Sequence, residues 1–362
     1  MFKFIHAADF HLDSPFAALP PRRAAERRRE SRELPLRLAE YAVSHGIDLM
    51  LLAGDLFDGG VYRETAEALR DGLGRAGIPA FIAPGNHDWY GADSPYATLK
   101  WPENVHIFTQ SAMESVELPQ CTVSGAAFTA PEQADGLLSG FSAPEDGKIR
   151  MAVLHGELGS GLSPYNPISE QDVASSGLHY LALGHIHKRT EPLRCGKTVA
   201  AWPGCPEGRG FDELGEKGFY EGTVSDDGAV ALRFIPFARH RYEILSVDVT
   251  GRDPAAAVER ALPPDTAGDL YRIVLTGETE KQGIFPETLQ SALNGRFYSV
   301  EIRDETHVSE DIWAAAGEDS LRGLFLRELR KKRGEAATEA ERAAVDRAVR
   351  FGLAALEHRD LG

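Results

Sequence analysis

Three observations predict an α/β fold. Residues 1–90 alternate strand, helix, strand, helix, strand. The middle strand is almost purely apolar, as a strand covered on both faces of a parallel sheet must be. Each of the three strands runs directly into residues that can bind a metal, and open α/β sheets carry their sites at the carboxyl ends of strands. One alternation therefore predicts both an architecture and the rim on which its chemistry sits.

Composition supports a soluble globular chain. Its 362 residues, 43% hydrophobic and 26% charged, are enough for one large core and an appendage. Three widely spaced cysteines, Cys121, Cys195 and Cys205, make no paired framework and fit a reducing compartment. The amino-terminal stretch is too short and too polar for a signal peptide, and no apolar run approaches the ~20 residues that span a bilayer. The expectation is a cytoplasmic protein with no membrane association. A net charge of −16 excludes a protein that coats nucleic acid nonspecifically, because phosphate binding is built on Lys and Arg. It does not exclude a nuclease, since a metal site brings its own positive charge and its carboxylates inflate the acidic count.

The first strand covers Phe2, Phe4 and Ile5 and ends at Asp9, Phe10 and His11. Two residues two apart at a strand end can point to one side, so Asp9 and His11 can reach a common ion. An arginine-rich segment follows, with Arg22, Arg23, Arg27, Arg28, Arg29, Arg32 and Arg37 among Glu26, Glu30 and Glu33. Its mixed signs fit a solvated helix face, and a phosphate-facing patch is the alternative. A helix is expected from near Ser31 to His45, with Pro35 tolerated in its first turn and Gly46 as its stop.

The apolar strand 47–53 delivers Gly54, Asp55 and Asp58. A helix over 63–76 leads to a third strand, 78–83, and then to Pro84, Gly85, Asn86, His87 and Asp88, ahead of Trp89 and Tyr90. Pro and Gly punctuate a tight turn there. An amide oxygen can ligate a metal, and an imidazole can move protons.

Further strands are predicted at 105–108, 122–126, 151–154, 180–183, 198–202, 219–224 and 230–235. Two end in histidines: His155 followed by Gly156, and Gly184 followed by His185 and His187. The candidate ligands are then Asp9, His11, Asp55, Asn86, His155, His185 and His187. All offer nitrogen or oxygen, which suits Mn²⁺, Fe²⁺ or Zn²⁺ rather than a structural thiolate zinc. Seven ligands exceed one ion and suit two. Two ions roughly 3.5–4 Å apart can clamp a phosphoryl group and generate hydroxide at neutral pH.

In their order, Asp9-x-His11, Gly54-Asp55-x-x-Asp58, Gly85-Asn86-His87-Asp88, His155 and Gly184-His185-x-His187 resemble the five motifs of the calcineurin-like metallophosphoesterases. Within that superfamily the chain most resembles the SbcD-type DNA repair exonucleases and their YhaO-like branch. The flanks at residues 101–108 and 202–218 carry this further likeness. The resemblance implies a four-layer α/β/β/α sandwich with the site on one rim. It also implies Asp9, His11 and His187 on one ion, Asn86, His155 and His185 on the other, and Asp55 between them. His87 matches the family's catalytic histidine, acting on the phosphoryl transition state or the leaving oxygen. Asp88 is expected to hold its ring by accepting an N–H bond. Asp58 stands where archaeal and eukaryotic relatives carry a histidine, and it is left out of the metal set.

Beyond Phe237 the composition shifts. Strands at 244–249, 271–275 and 297–302 and a helix at 254–262 resemble the capping domain of SbcD-like proteins, and residues 238–243 read as a link. From Asp311 the chain is helical. Leu321, Leu324, Phe325 and Leu329 recur at helical spacing, with Gly334 as an end signal. A capping box, Thr338 with Glu341, starts a second helix that places Val345, Val349 and Leu353 on one side. These helices either pack back on the cap or dock a partner. The organisation expected is a nuclease domain at 1–237, a cap at 244–310 and a helical segment at 311–362. DNA is the expected substrate, an SbcC-like coiled-coil ATPase the expected partner, and a second copy of the chain a further one. The runner-up is a phosphodiesterase of cyclic nucleotides or nucleotide conjugates. A non-catalytic scaffold on the same fold is the remaining class.

Overall fold

In a computed structural model, which describes residues 2–159, 163–279, 286–293 and 295–356, the chain begins with the expected alternation. It runs β1 (Phe2–Ala7), α1 (Pro21–Arg32), α2 (Leu34–His45), β2 (Leu49–Leu52), α3 (Arg63–Ala76), β3 (Ala80–Ile82), α4 (Pro95–Thr98) and β4 (Val105–Ile107). It continues as β5 (Glu114–Glu117), β6 (Cys121–Gly125), β7 (Ile149–His155), β8 (Glu157–Leu158), β9 (Pro167–Ile168) and α5 (Glu170–Ser175). Then come β10 (Tyr180–Gly184), β11 (Leu193–Cys195), β12 (Thr198–Ala201), β13 (Gly218–Val224) and β14 (Val230–Pro236).

Two six-stranded sheets result, ordered β14-β13-β1-β2-β3-β4 and β11-β12-β10-β7-β6-β5. Strands β1 to β4 are mutually parallel, while β13 joins β1 antiparallel. The sheets share a core in which Phe4, Leu49, Leu51 and Phe81 meet Val123, Met151, Val153 and Tyr180. His6 crosses it, its Nδ1 2.7 Å from the Tyr180 hydroxyl and its Nε2 3.1 Å from the Leu183 carbonyl. Both ring nitrogens are thus used, and burial pushes the imidazole down to about 3, so it stays neutral.

The outer face of the first sheet is covered by α2 and α3 through Leu34, Leu38, Leu69 and Leu73. The outer face of the second is covered by Val173 of α5 and by Leu137, Leu138 and Ala143 from an irregular stretch. The fourth layer is therefore one short helix and loop.

Local chemistry sets most helix ends. Helix α2 starts at Leu34 rather than Ser31, and its Pro35 lies in the first turn where no N–H is needed. Gly46, at φ 63°, closes it. The arginine-rich segment forms its own helix, α1, and is tied to the protein rather than left free. Arg27, 1% exposed, donates to Glu30, to Glu207 and to the Gly208 carbonyl. Arg37 also reaches Glu207, and Arg32 reaches Asp13. Arg27 and Arg37 thereby hold the loop that follows the last histidine motif.

A second compact unit begins at His240. It comprises β15 (Tyr242–Asp248), α6 (Pro254–Ala261), β16 (Leu270–Thr276), β17 (Glu278–Thr279), α7 (Pro286–Ala292), β18 (Ser299–Asp304) and β19 (His307–Val308). Helices α8 (Glu310–Ala314), α9 (Leu321–Glu335) and α10 (Glu339–Leu356) follow. Strands β15, β16 and β18 form a parallel sheet packed by α6 and α7. The capping box forms: Thr338 N–H donates to Glu341, and Glu341 N–H donates back to the Thr338 hydroxyl. Helix α9 runs through Gly334 to Glu335, one residue beyond the stop signal in the sequence.

Leu326, Val349 and Leu353 pack with Val308, Ile312 and Trp313, and Arg350 is bonded to Asp304 and Thr306. Phe325 and Leu329 turn toward that core, whereas Leu321 and Leu324 stay 67% and 50% exposed. The apolar row read from the sequence is therefore divided between two faces. No helix among the described residues is long and apolar enough to cross a membrane.

Candidate metal centre

Five strand ends supply the candidate residues. Asp9 and His11 follow β1, Asp55 and Asp58 follow β2, and Asn86, His87 and Asp88 follow β3. His155 ends β7, and His185 and His187 follow β10. The first three strands belong to one sheet and the last two to the other, so the rim forms only where the sheets face each other. Glycine permits that approach. A Cβ on Gly184 would stand 1.9 Å from the Ala53 carbonyl oxygen, and one on Gly85 would stand 2.3 Å from Asp55 Oδ1.

The seven residues proposed as ligands come together. Oδ2 of Asp55 lies 3.6 Å from His11 Nε2 and 3.4 Å from His155 Nε2. His11 Nε2 and His187 Nε2 face each other at 3.1 Å. Oδ1 of Asn86 lies 2.9 Å from His155 Nε2 and 3.2 Å from His185 Nδ1. Asp9 Oδ1 accepts the His185 N–H at 2.9 Å. Ligand atoms of Asp9, His11, Asp55 and His187 all lie within 4.8 Å of one another.

The donor set fits a metal on two independent grounds. Oδ2 of Asp9 is buried without a hydrogen-bond partner, which is costly unless a cation meets it. Burial and neighbouring Asp55 accordingly push the Asp9 carboxyl well up. Burial also drives His11, His155 and His185 down to about 4, so their lone pairs are free for coordination. The backbone is strained in the same place. Among the described residues, seven non-glycines have positive φ, and four of them are Asp9, His11, Asp55 and His185. Such conformations cost roughly 1–3 kcal/mol each and gather at functional sites.

His87 stands beside this cluster, with its side chain 45% exposed and its N–H bonded to Asp55 Oδ1 at 2.9 Å. The carboxylate that meets its ring is Asp58, not Asp88. Asp58 Oδ1 lies 3.2 Å from His87 Nδ1 and, at a longer 3.5 Å, from His11 Nδ1. That bond raises the His87 pKa, and both histidines hold the Asp58 carboxyl far below the usual range. Asp88 is buried beneath the loop. It accepts the N–H groups of Asp55, Leu56 and Gly85 and the hydroxyl of Tyr96. The expectation that Asp88 orients His87 is corrected: its oxygens are already taken up in shaping the backbone that carries Asp55.

Two further residues were not singled out from the sequence. Glu213 Oε1 lies 2.8 Å from His187 Nδ1, and Arg209 binds Glu213 at 2.7 Å. One imidazole nitrogen holds one proton. The Glu213 carboxylate can only accept, so Nδ1–H of His187 donates to it and Nε2 is left for a metal, while Arg209, whose Nη2 also lies 2.9 Å from Nδ1, neutralises the glutamate. Burial would raise the Glu213 carboxyl, but the bonds from His187 and Arg209 hold it well below normal. The only trace in the sequence is an Arg and a Glu four apart in the glycine-rich stretch after the last histidine.

The calcineurin-like phosphoesterase profile matches residues 2–189, which carry all seven of these residues. The chain belongs to that family. Its relatives in the family include the metallophosphoesterase YhaO of Bacillus subtilis, 33% identical over 318 residues, 81% of this chain and 74% of that one. The DNA double-strand break repair protein Mre11 of Methanopyrus kandleri is 23% identical over 94% of this chain and 79% of its own length. Mre11 of Saccharolobus solfataricus is 26% identical over 63% of this chain and 61% of that one. Membership makes the chain a phosphoesterase of the metal-dependent kind, consistent with an SbcD/Mre11-type assignment.

Proposed function

We propose that this phosphoesterase is a two-metal phosphodiesterase that cuts DNA, an SbcD-like repair nuclease. The observation that carries the reading is Asp55, whose Oδ2 faces His11 on one side and His155 on the other. Asp9, His11 and His187 would hold one ion and Asn86, His155 and His185 the other, with Asp55 within reach of both sets. Divalent ions bound there, Mn²⁺ in the first place, would supply Lewis-acid charge at the phosphoryl oxygens and a more acidic water. His87, held by Asp58, carries a proton at the open edge of the centre and delivers it to a phosphoryl or leaving oxygen. Glu213 and Asp58 keep His187 and His87 in orientation, and Asp88 keeps the Asp55 loop in shape.

DNA is favoured as substrate by the Mre11 likeness, which extends over the second unit as well as the first. At −16 the chain is a poor match for phosphates by itself. A coiled-coil ATPase of the SbcC type grips the DNA in this reading, docked on the exposed Leu321 and Leu324 of α9, in the cytoplasm. Labelled duplex DNA and a generic phosphodiester, bis(p-nitrophenyl) phosphate, should both be hydrolysed with Mn²⁺, and neither with EDTA. Cleavage of the generic ester with DNA left intact would move the assignment to a small-molecule phosphodiesterase. The double variant Leu321→Asp/Leu324→Asp should lose ATPase capture in a pull-down and keep its rate on the generic ester. Undiminished capture would remove α9 from the interface.

A further inference from the structure

Beside His87 the surface opens into a cleft of about 690 Å³, walled by residues 59–66 and 87–99. That lies within the ~300–1,000 Å³ of small-ligand sites. Its lining combines four kinds of surface. Trp89 contributes a large aromatic side chain left 39% exposed. Val61 and Leu99 add apolar wall, Asp93 a carboxylate and Arg63 a guanidinium, with His87 at the edge. Trp89 stays open beside the one candidate residue that moves protons.

We propose that this cleft is a nucleobase subsite, in which Trp89 stacks on the base of the nucleotide attached to the scissile phosphate. The proposal rests on the reading of the metal centre as a phosphodiesterase and names the substrate feature it recognises. Every base has a π-face, so stacking on an indole grips a nucleotide without choosing its sequence. The Asp93 carboxylate can accept from exocyclic amino groups. Arg63 pairs with Glu67 at 3.0 Å on the surface, with its side chain 81% exposed. An exposed pair of this kind is readily exchanged for a flanking phosphate. The base would then sit on the His87 side of the scissile phosphate, which places the sugar oxygen within the histidine's reach.

The test is binding to the full-length, Mn²⁺-loaded protein, with deoxyadenosine monophosphate and deoxyribose 5-phosphate as probes. The nucleotide should quench tryptophan emission saturably, and Trp89→Phe should abolish the quench. By calorimetry, Trp89→Ala should weaken the nucleotide about 10-fold, the scale of one base–aromatic stack, and Trp89→Phe less than about 3-fold. Deoxyribose 5-phosphate should bind all three proteins equally. Unchanged nucleotide affinity in Trp89→Ala, or an equal loss for deoxyribose 5-phosphate, would overturn the subsite. Oligonucleotides ending in adenine or in an abasic residue separate a DNA end from a free nucleotide as the source of the base. Because the readout is binding, a chain that cleaves no DNA can still show the subsite. A chain that cleaves DNA but ignores Trp89 keeps its function and loses the subsite.

Discussion

Asp55→Ala is expected to lose both ions and to retain less than about one-thousandth of the metal-dependent rate. The size follows from the several kcal/mol that bound metals supply to phosphoryl transfer, at 1.36 kcal/mol per tenfold. Asp55 is 1% exposed, and its Oδ2 is the carboxylate oxygen that stands between the two halves of the donor set. Without it one half keeps Asp9 and two imidazoles, and the other keeps an amide and two imidazoles with no anionic ligand at all. Elemental analysis of dialysed protein, beside circular dichroism as a check on folding, measures the effect directly. Full occupancy by two ions in a folded Asp55→Ala protein would show that the aspartate is not shared.

His87→Ala is expected to keep both metals and its fold while its rate falls by ~10²–10⁴, the range of a general acid or base. His87 lies outside the proposed ligand set: its ring meets Asp58 at 3.2 Å and stands edge-on to His11, so this variant tests whether binding and chemistry separate here. Asp58→Asn supplies the pH test. The Asp58 carboxylate raises the His87 pKa, and without it that pKa should fall back toward the ordinary ~6.5. Activity that needs protonated His87 is lost as pH rises through its pKa. The alkaline limb of the rate profile should therefore move to lower pH in Asp58→Asn. A metal content that falls along with the rate in His87→Ala, or a profile unmoved in Asp58→Asn, would assign His87 another role.

Much of this site is legible in the chain because strand ends announce themselves. An apolar run that stops at Asp55, or at His155, marks a strand end whose polar residue stays buried and therefore needs a partner at that point. Periodicity likewise marked α3 at its own bounds of Arg63 and Ala76. Adjacency and family likeness misled where they had to name a partner. Asp88 sits next to His87 in sequence, yet its carboxylate turns down to the backbone of residues 55–57 and 85, and Asp58, 29 positions before His87, takes the ring. The arginines of α1 were readable as a solvated face, but Arg27 is buried against Glu207, 180 residues later.

The sequence by itself determined the α/β class, the order of the metal motifs, the capping box of α10 and the chemistry of the donor atoms. Each depends on residue type and near-neighbour spacing, which the chain displays directly. Only the tertiary structure decided that β13 and β14 extend the first sheet beside β1, and that Glu213 orients His187. It alone divided α9 between a packed face and an exposed one. These outcomes depend on contacts between residues far apart in sequence. A strand's own residues do not say which edge it will pair with, and a buried carboxylate accepts whichever donors the fold brings to it.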